Sequence, residues 1–279
     1  MKKLLLALAV TSLLAACGKK EEAPAPVAAA PAAPVAAAPA PEVGPLKVAI
    51  DPTYEPFTFK TADGQPTGFD VDIANALCEQ IKRKCEFVEQ VWDGMIPGLN
   101  AKKYDVIISS MSATDERKLE IDFTDKYYQT PSRVVLKKGT KFTDAASIKG
   151  KKIGVLKGST QEKYAMDNLK PAGVVVSSYE AQDQVYLDIK SGRLDGTVAD
   201  FLEVTGGFLS KPEGAKYELV GPVLSDVKYF AGAAVALRKG EDTLKGELNE
   251  AIKAIRTNGT YKTINDKYFA KYNIDVYGE

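Results

Sequence analysis

Four stretches of the chain combine residue types that could hold a small charged molecule. Ser109 to Lys118 reads SSMSATDERK, three serines, a threonine and Arg117 directly after the apolar run Tyr104 to Ile108. Asp51 follows Leu46 to Ile50, Asp200 follows Gly196 to Ala199, and GSTQE, Gly158 to Glu162, follows Lys152 to Leu156. A guanidinium presents a planar fork of donors that fits a carboxylate. A carboxylate beside it suits an ammonium, and free amides at a helix start favour an anion. Each stretch also has a plainer use. Arg117 can pair with Asp115 or Glu120 on a solvated surface, Asp51-Pro52 and Asp200 can make turns, and Ser159 with Glu162 can form a capping box. Capping and anion binding can coexist at one helix end.

The 279 residues contain no histidine, which removes the commonest general base, the usual triad base and the usual zinc ligand. Asp51 and Lys157 are the residues left for acid/base work near such loops, so an enzyme is disfavoured without being excluded. No metal site and no cofactor is implied. Lys plus Arg and Asp plus Glu balance at 37 each, with no long block of like charge, which argues against a nucleic-acid partner.

The four loops converge only if the runs before them are strands whose carboxyl ends meet at one cleft. Leu46 to Ile50, Phe87-Val88 and Val106 to Ile108 read as strands. Between them lie a helix with Phe69, Ile73, Leu77 and Ile81 on one face, Asp70 and Asp72 near its positive end, and a helix over Ile96 to Lys102. A second series runs from a strand at Lys152 to Leu156 through a helix from Ser159, a strand at Val174 to Val176 and a helix over Asp183 to Lys190 to a strand at Gly196 to Ala199. A strand at Ala233 to Leu237 and a helix with Leu244, Leu248, Ile252 and Ile255 on one side could return to the first series. Two α/β lobes of similar design are the economical inference.

The start of the chain points out of the cytoplasm. Met1-Lys2-Lys3 precedes the apolar Leu4 to Ala16, the pattern of a secretory signal peptide over residues 1–16. Leu14-Ala15-Ala16 followed by Cys17 resembles the lipobox of bacterial lipoproteins, which implies cleavage before Cys17 and a lipid on its thiol; an incidental cysteine after an ordinary signal is the alternative. From Ala23 to Pro45 the chain is almost entirely Ala, Pro and Val, so residues 17–45 read as a lipidated cysteine with a semi-extended tether. Cys78 and Cys85 are then an even pair in an oxidising compartment, where a disulfide is expected over two free buried thiols. A continuous helix would hold them too far apart, so the helix carrying Cys78 should end before Cys85.

From Leu46 onward the segments KVAIDPTYEPF, GFDVDIANALCEQ, AKKYDVIISSMSATDERK, GVLKGSTQE and GTYKTINDKYF together resemble the periplasmic amino-acid-binding proteins of ABC importers, solute-binding protein family 3. The resemblance is greatest to the lysine/arginine/ornithine- and histidine-binding members. It implies an α/β, two-lobed periplasmic-binding-protein-like fold of type II, with a ligand cleft between hinged lobes. Lobe 1 would comprise residues 46–131 and 228–279 and lobe 2 residues 132–227, with crossings near Tyr128 to Ser132 and Asp226 to Phe230.

By the same resemblance Arg117 would clamp an amino acid's α-carboxylate, helped by Ser112 and the amide of Thr160 beside Ser159. The Ser110 carbonyl and Asp200 would hold the α-ammonium. Tyr54 and Trp92 would flank the ligand side chain, Asp51 and Ser109 would meet its distal cation, and Leu156 and Gln161 would line the other wall. Trp92 as a core anchor and Tyr54 as a rim residue are the plainer uses. Trp92 is bulkier than the residue common there, Lys157 adds a cation, the segment from Lys141 to Ala146 is slightly short, and the lipobox and tether differ from soluble members. The function implied is that of a monomeric, membrane-anchored binding lipoprotein. It would pass a basic L-amino acid, arginine first and lysine or ornithine next, to an ABC permease of the inner membrane. Histidine or another polar amino acid as ligand, a periplasmic dehydratase-like enzyme on the same fold, and a detachable sensor are the alternatives.

Overall fold

The structure, a computed structural model, describes residues 44–277. The signal peptide, lipidated Cys17 and tether expected from the sequence lie, up to residue 43, outside the described residues. Along the chain β1 (Leu46–Ile50) leads into a short hairpin, β2 (Phe59–Lys60) and β3 (Pro66–Thr67), followed by α1 (Phe69–Gln80), β4 (Cys85–Glu89), α2 (Met95–Asn100), β5 (Val106–Ile107), α3 (Asp115–Lys118) and β6 (Asp122–Tyr128). Next come β7 (Ser132–Lys137), β8 (Lys152–Leu156), α4 (Thr160–Tyr164), β9 (Val175–Tyr179), α5 (Gln182–Lys190), β10 (Gly196–Asp200), α6 (Phe201–Val204) and β11 (Tyr217–Leu224). The chain closes with β12 (Ala233–Leu237), α7 (Asp242–Thr257) and α8 (Thr260–Phe269).

The fold is α/β and two-lobed, each lobe built on a five-stranded sheet. The first has the order β4-β1-β5-β12-β6, the second β11-β7-β10-β8-β9. In the first, β1 runs parallel to β4 and β5 while β12 is antiparallel to β5 and β6; in the second, β8 is parallel to β9 and β10 while β7 is antiparallel to β10 and β11. The chain crosses between the sheets twice, through residues 129–131 and 225–232.

Alternation along the strands splits each lobe into two cores. Val48, Ile50, Val106, Val235 and Leu237 pack on one face with Ile73 and Leu77 of α1 and Leu248, Ile252 and Ile255 of α7. Ala49, Ile107, Ala234 and Ala236 meet Met95, Leu99 and Tyr104 on the other. Val134, Ile153, Val155 and Val198 likewise face Ile148 and Leu169, while Val135 and Ala199 face Val185, Ile189 and Phe208. Strands covered on both faces need nearly unbroken apolar runs, which is why β1, β8 and β12 coincide with the strands expected from sequence.

Other elements depart from expectation. β6, β7, β11, the β2–β3 hairpin and α8 were not anticipated. Charged residues interrupt β6 at Asp122, Asp125 and Lys126, and β11 contains Gly221-Pro222, a pattern an edge strand tolerates because one side of its ladder is unpaired. β9 starts one residue later than expected and runs on through Ser177 and Ser178, whose pairing with the buried Gly154 and Val155 of β8 holds them extended. α1 ends at Gln80 and Cys85 opens β4, and the two cysteines are joined by a disulfide with Cα atoms 5.8 Å apart.

Candidate functional site

All twelve residues expected at the site line a single cavity of about 610 Å³, mouth included. The first lobe contributes Asp51, Tyr54, Trp92, Ser109, Ser110, Ser112 and Arg117; the second contributes Leu156, Ser159, Thr160, Gln161 and Asp200. Topology accounts for the convergence. The loops after β1 and β5 are neighbours because their strands pair, and the amide of Asp51 donates to Ser109 Oγ at 3.0 Å. The loops after β8 and β10 are neighbours for the same reason.

Arg117 is the third residue of α3, and its amide donates to the side chain of the N-cap, Thr114. Its Nη1 donates to the Ser112 carbonyl at 3.0 Å and its Nη2 to the Gly158 carbonyl at 3.2 Å, and the guanidinium carbon lies 5.3 Å from the centre of the Trp92 ring. Neither surface pairing considered for it occurs: Asp115 takes Lys118 instead, and no carboxylate pairs with Arg117 among the described residues. Burial without a counter-anion pulls its pKa down to about 10, against the opposing field of Glu116.

The carboxylates show the reverse. Asp51 Oδ1 accepts from the amide and hydroxyl of Thr53 at 3.1 and 2.8 Å, the turn its sequence suggested, while burial raises its pKa. Asp200 N-caps α6, Oδ1 accepting from the amides of Leu202 at 2.9 Å and Glu203 at 3.2 Å, and Oδ2 accepts from the Thr130 hydroxyl. Burial pushes it up to about 6. Both therefore do what a turn or cap aspartate does and still face the cavity.

Ser159 caps α4 by accepting from the Glu162 amide at 3.0 Å. The reciprocal bond of the expected capping box is displaced by one residue: Glu162 Oε2 accepts from Gly158 N at 2.7 Å rather than from Ser159 N. Gly158, at φ +72°, makes the tight turn that brings its amide there. Ser110 also has a positive φ, +59°, uncommon outside glycine, and is held by two bonds. Its amide donates to the Tyr127 hydroxyl at 3.2 Å and its own hydroxyl donates to Asp70 Oδ2 at 2.8 Å.

Asp70, expected only to complement a helix dipole, is fully buried, accepts also from the Tyr127 hydroxyl at 2.8 Å, and is pushed by burial up to about 7. Lys157 does not line the cavity: its ammonium pairs with Asp93 at 2.9 Å and Glu180 at 3.1 Å. The Asp93 bond crosses between the lobes, as do Glu116 to Lys163 at 3.4 Å and Glu55 to Lys211 at 2.6 Å. Trp92 and Tyr54 are half-buried on the cavity wall rather than at the centre of a core.

Tyr128, Thr130, Ser132, Phe230, Gly232 and Ala233 complete the lining. Sequence reasoning missed them as lining residues because it treated both crossings as hinges alone; the hydroxyls at alternate positions 130 and 132 were the available signal. Among all lining residues the acidic and basic side chains are Asp51, Asp200 and Arg117, leaving one excess negative charge. The site thus holds a cation without an anion and two carboxylates without a cation, at separate places in one cavity.

The family described as bacterial extracellular solute-binding proteins, family 3, matches residues 46–271. The L-arginine-binding protein of Pseudomonas aeruginosa is 52% identical over 236 residues, 84% of this chain and 90% of that protein. The histidine-binding periplasmic protein of Salmonella typhimurium is 43% identical over 235 residues, 84% of this chain and 89% of that protein. Among solved structures, a Salmonella typhimurium periplasmic binding protein with high arginine specificity superposes with a TM-score of 0.76 at 31% identity, over 81% of this chain and 100% of that one.

Proposed function

The chain belongs to family 3 of the bacterial extracellular solute-binding proteins, and on that premise we propose that it captures a basic L-amino acid for an ABC importer, arginine first and lysine or ornithine next. The observation that carries this reading is the charge of the cavity. An amino-acid zwitterion needs one cation site and one anion site, which Arg117 and Asp200 offer; Asp51 then remains for one further positive group. A ligand of net charge +1 matches a lining of net charge −1. Likeness to an L-arginine-binding protein supports the same choice.

In this reading Arg117, Ser112 and the amide of Thr160 beside Ser159 take the carboxylate, and Asp200 with the Ser110 carbonyl takes the ammonium. Tyr54 and Trp92 flank the side chain, Asp51 and Ser109 receive its distal cation, and Leu156 and Gln161 close the far wall. Aromatic faces suit a guanidinium. Lobe 1, residues 46–131 and 228–279, and lobe 2, residues 132–227, close about the two crossings. Closure is favoured by the ligand's contacts with both lobes at once. Residues 1–16 direct export, Cys17 carries lipid, and the tether to residue 45 keeps a monomeric capture domain near a membrane and its permease. No helix among the described residues is long and apolar enough to cross a membrane.

Calorimetric titration tests the reading on the chain from residue 46, stripped of bound ligand by unfolding and refolding. L-arginine, L-lysine and L-ornithine should bind one to one, with L-glutamine and L-glutamate silent and L-histidine weaker than arginine. Tight binding of an uncharged or acidic amino acid would refute the role of Asp51. Conversion of a cyclic hydroxy acid to product would make the protein an enzyme instead.

A further inference from the structure

Thr130 holds a place that the ligand contacts above do not use. It lies in the 129–131 segment that carries the chain from β6 to β7, lines the cavity, and donates its hydroxyl to Asp200 Oδ2. Asp200 Oδ1 is already taken by two amides of its own helix. The carboxylate is therefore gripped from two sides, by α6 and by the crossing. Thr130 and Ser132 both line the cavity. Ser132, which opens β7 directly after the crossing, accepts through Oγ from Nε2 of Gln161 at 3.0 Å.

We infer that Thr130 is a positioning residue for ammonium recognition: its hydroxyl orients the Asp200 carboxylate that receives the ligand's α-ammonium. The inference rests on the reading of Asp200 given above. Without the hydroxyl, one buried oxygen of Asp200 would keep no protein donor, free to rotate away and harder to ionise. Burial already raises Asp200, and the Thr130 hydroxyl is the foremost of the groups that oppose the rise, ahead of the amides of Glu203 and Leu202. The other titratable groups sharing its field are Glu203 on α6, Tyr54 and Tyr128 from the first lobe, and Tyr186 on α5. Tyr186 donates to Glu203, which leaves Thr130 as the side-chain donor to Asp200.

The test compares wild type, Thr130→Val and Thr130→Ser in the chain from residue 46 by two measurements. The Asp200 carboxyl is titrated by carbon NMR without ligand, and L-arginine affinity is followed by calorimetry from roughly two pH units below to two above its midpoint of about 6. Thr130→Val should raise the Asp200 midpoint by about one pH unit and weaken arginine about tenfold at neutral pH, the loss of one hydrogen bond to a charged group. The acid limb of binding should move up with the midpoint, and Thr130→Ser should restore both. An unmoved Asp200 midpoint in Thr130→Val overturns the inference. So does a loss of affinity equal at every pH and not restored by serine, which would mark a packing role in the hinge. If wild type takes up no basic amino acid, the functional reading fails by itself, and the ligand-free titration still decides whether Thr130 governs Asp200.

Discussion

Arg117 of the first lobe donates its Nη2 to the carbonyl of Gly158 in the second, at 3.2 Å, while its other arm holds Ser112 of its own lobe. One guanidinium thus touches both walls of the cleft, beside the free amides of α4. The place proposed for a ligand carboxylate is also a place where closure is felt.

Arg117→Ala should weaken arginine binding by roughly 2 to 5 kcal/mol, as for a buried charge pair that loses one partner. Arg117→Lys should not restore it, because an ammonium lacks the planar fork that takes a carboxylate in two bonds. Calorimetry on both variants, with circular dichroism to confirm folding, decides the matter; affinity equal to wild type in either would remove Arg117 from the site.

Asp51→Asn should change which ligand is preferred. The distal cation loses a charge-assisted partner, a cost of about 1.5 to 3 kcal/mol for arginine, while an uncharged side chain loses little. Competition between L-arginine and L-glutamine reads the ratio directly. A ratio that stays at the wild-type value would mean that Asp51 makes a turn with Thr53 and nothing more.

Stability and affinity should respond to acid in opposite directions. Asp200 and Asp70 have folded pKa values raised by burial to about 6 and about 7 from an ordinary 3.8. Between the ordinary value and these, the folded chain binds more protons than the unfolded one. Their contribution is therefore fully present below the unfolded pKa and is lost as pH rises through 6 and 7. The wild-type minus Asp70→Asn difference in ligand-free melting temperature should fall along that course. Arginine affinity should instead rise with pH through about 6 as Asp200 ionises. A melting difference independent of pH would show that Asp70 is ionised throughout.

Besides Lys228 to Asp167 at the second crossing, three ion pairs among the described residues join the lobes: Asp93 to Lys157, Glu116 to Lys163 and Glu55 to Lys211. They are exposed, so each is weak and screened by salt. Changing Lys157, Lys163 and Lys211 together to Ala should enlarge the ligand-free radius of gyration in small-angle scattering at low salt, and molar salt should erase the difference. Equal radii at low salt would leave the pairs without influence on closure.

Much of this was legible in the sequence because strands covered on both faces leave nearly unbroken apolar runs. Leu46 to Ile50, Lys152 to Leu156 and Ala233 to Leu237 are such runs, and the polar residues just beyond the first two line the cavity. Edge strands leave no such trace: β6 and β11 carry charges, glycine and proline at positions that solvent or an unpaired ladder tolerates. Partners fixed by folding were also hidden. Nothing in GFDVDIANALCEQ announces that Asp70 would be wholly buried against Ser110 and Tyr127, forty and fifty-seven residues away. Lys157 was equally opaque, because its two carboxylate partners come from distant segments, one in each lobe.

The chain contains one tryptophan, and its ring lies beside the Arg117 guanidinium on the cavity wall. Light absorbed by indole and not by tyrosine is therefore emitted from a single spot, within reach of anything that enters. The protein carries its own optical gauge of occupancy, and uptake and release can be timed in a stopped flow without attaching a dye.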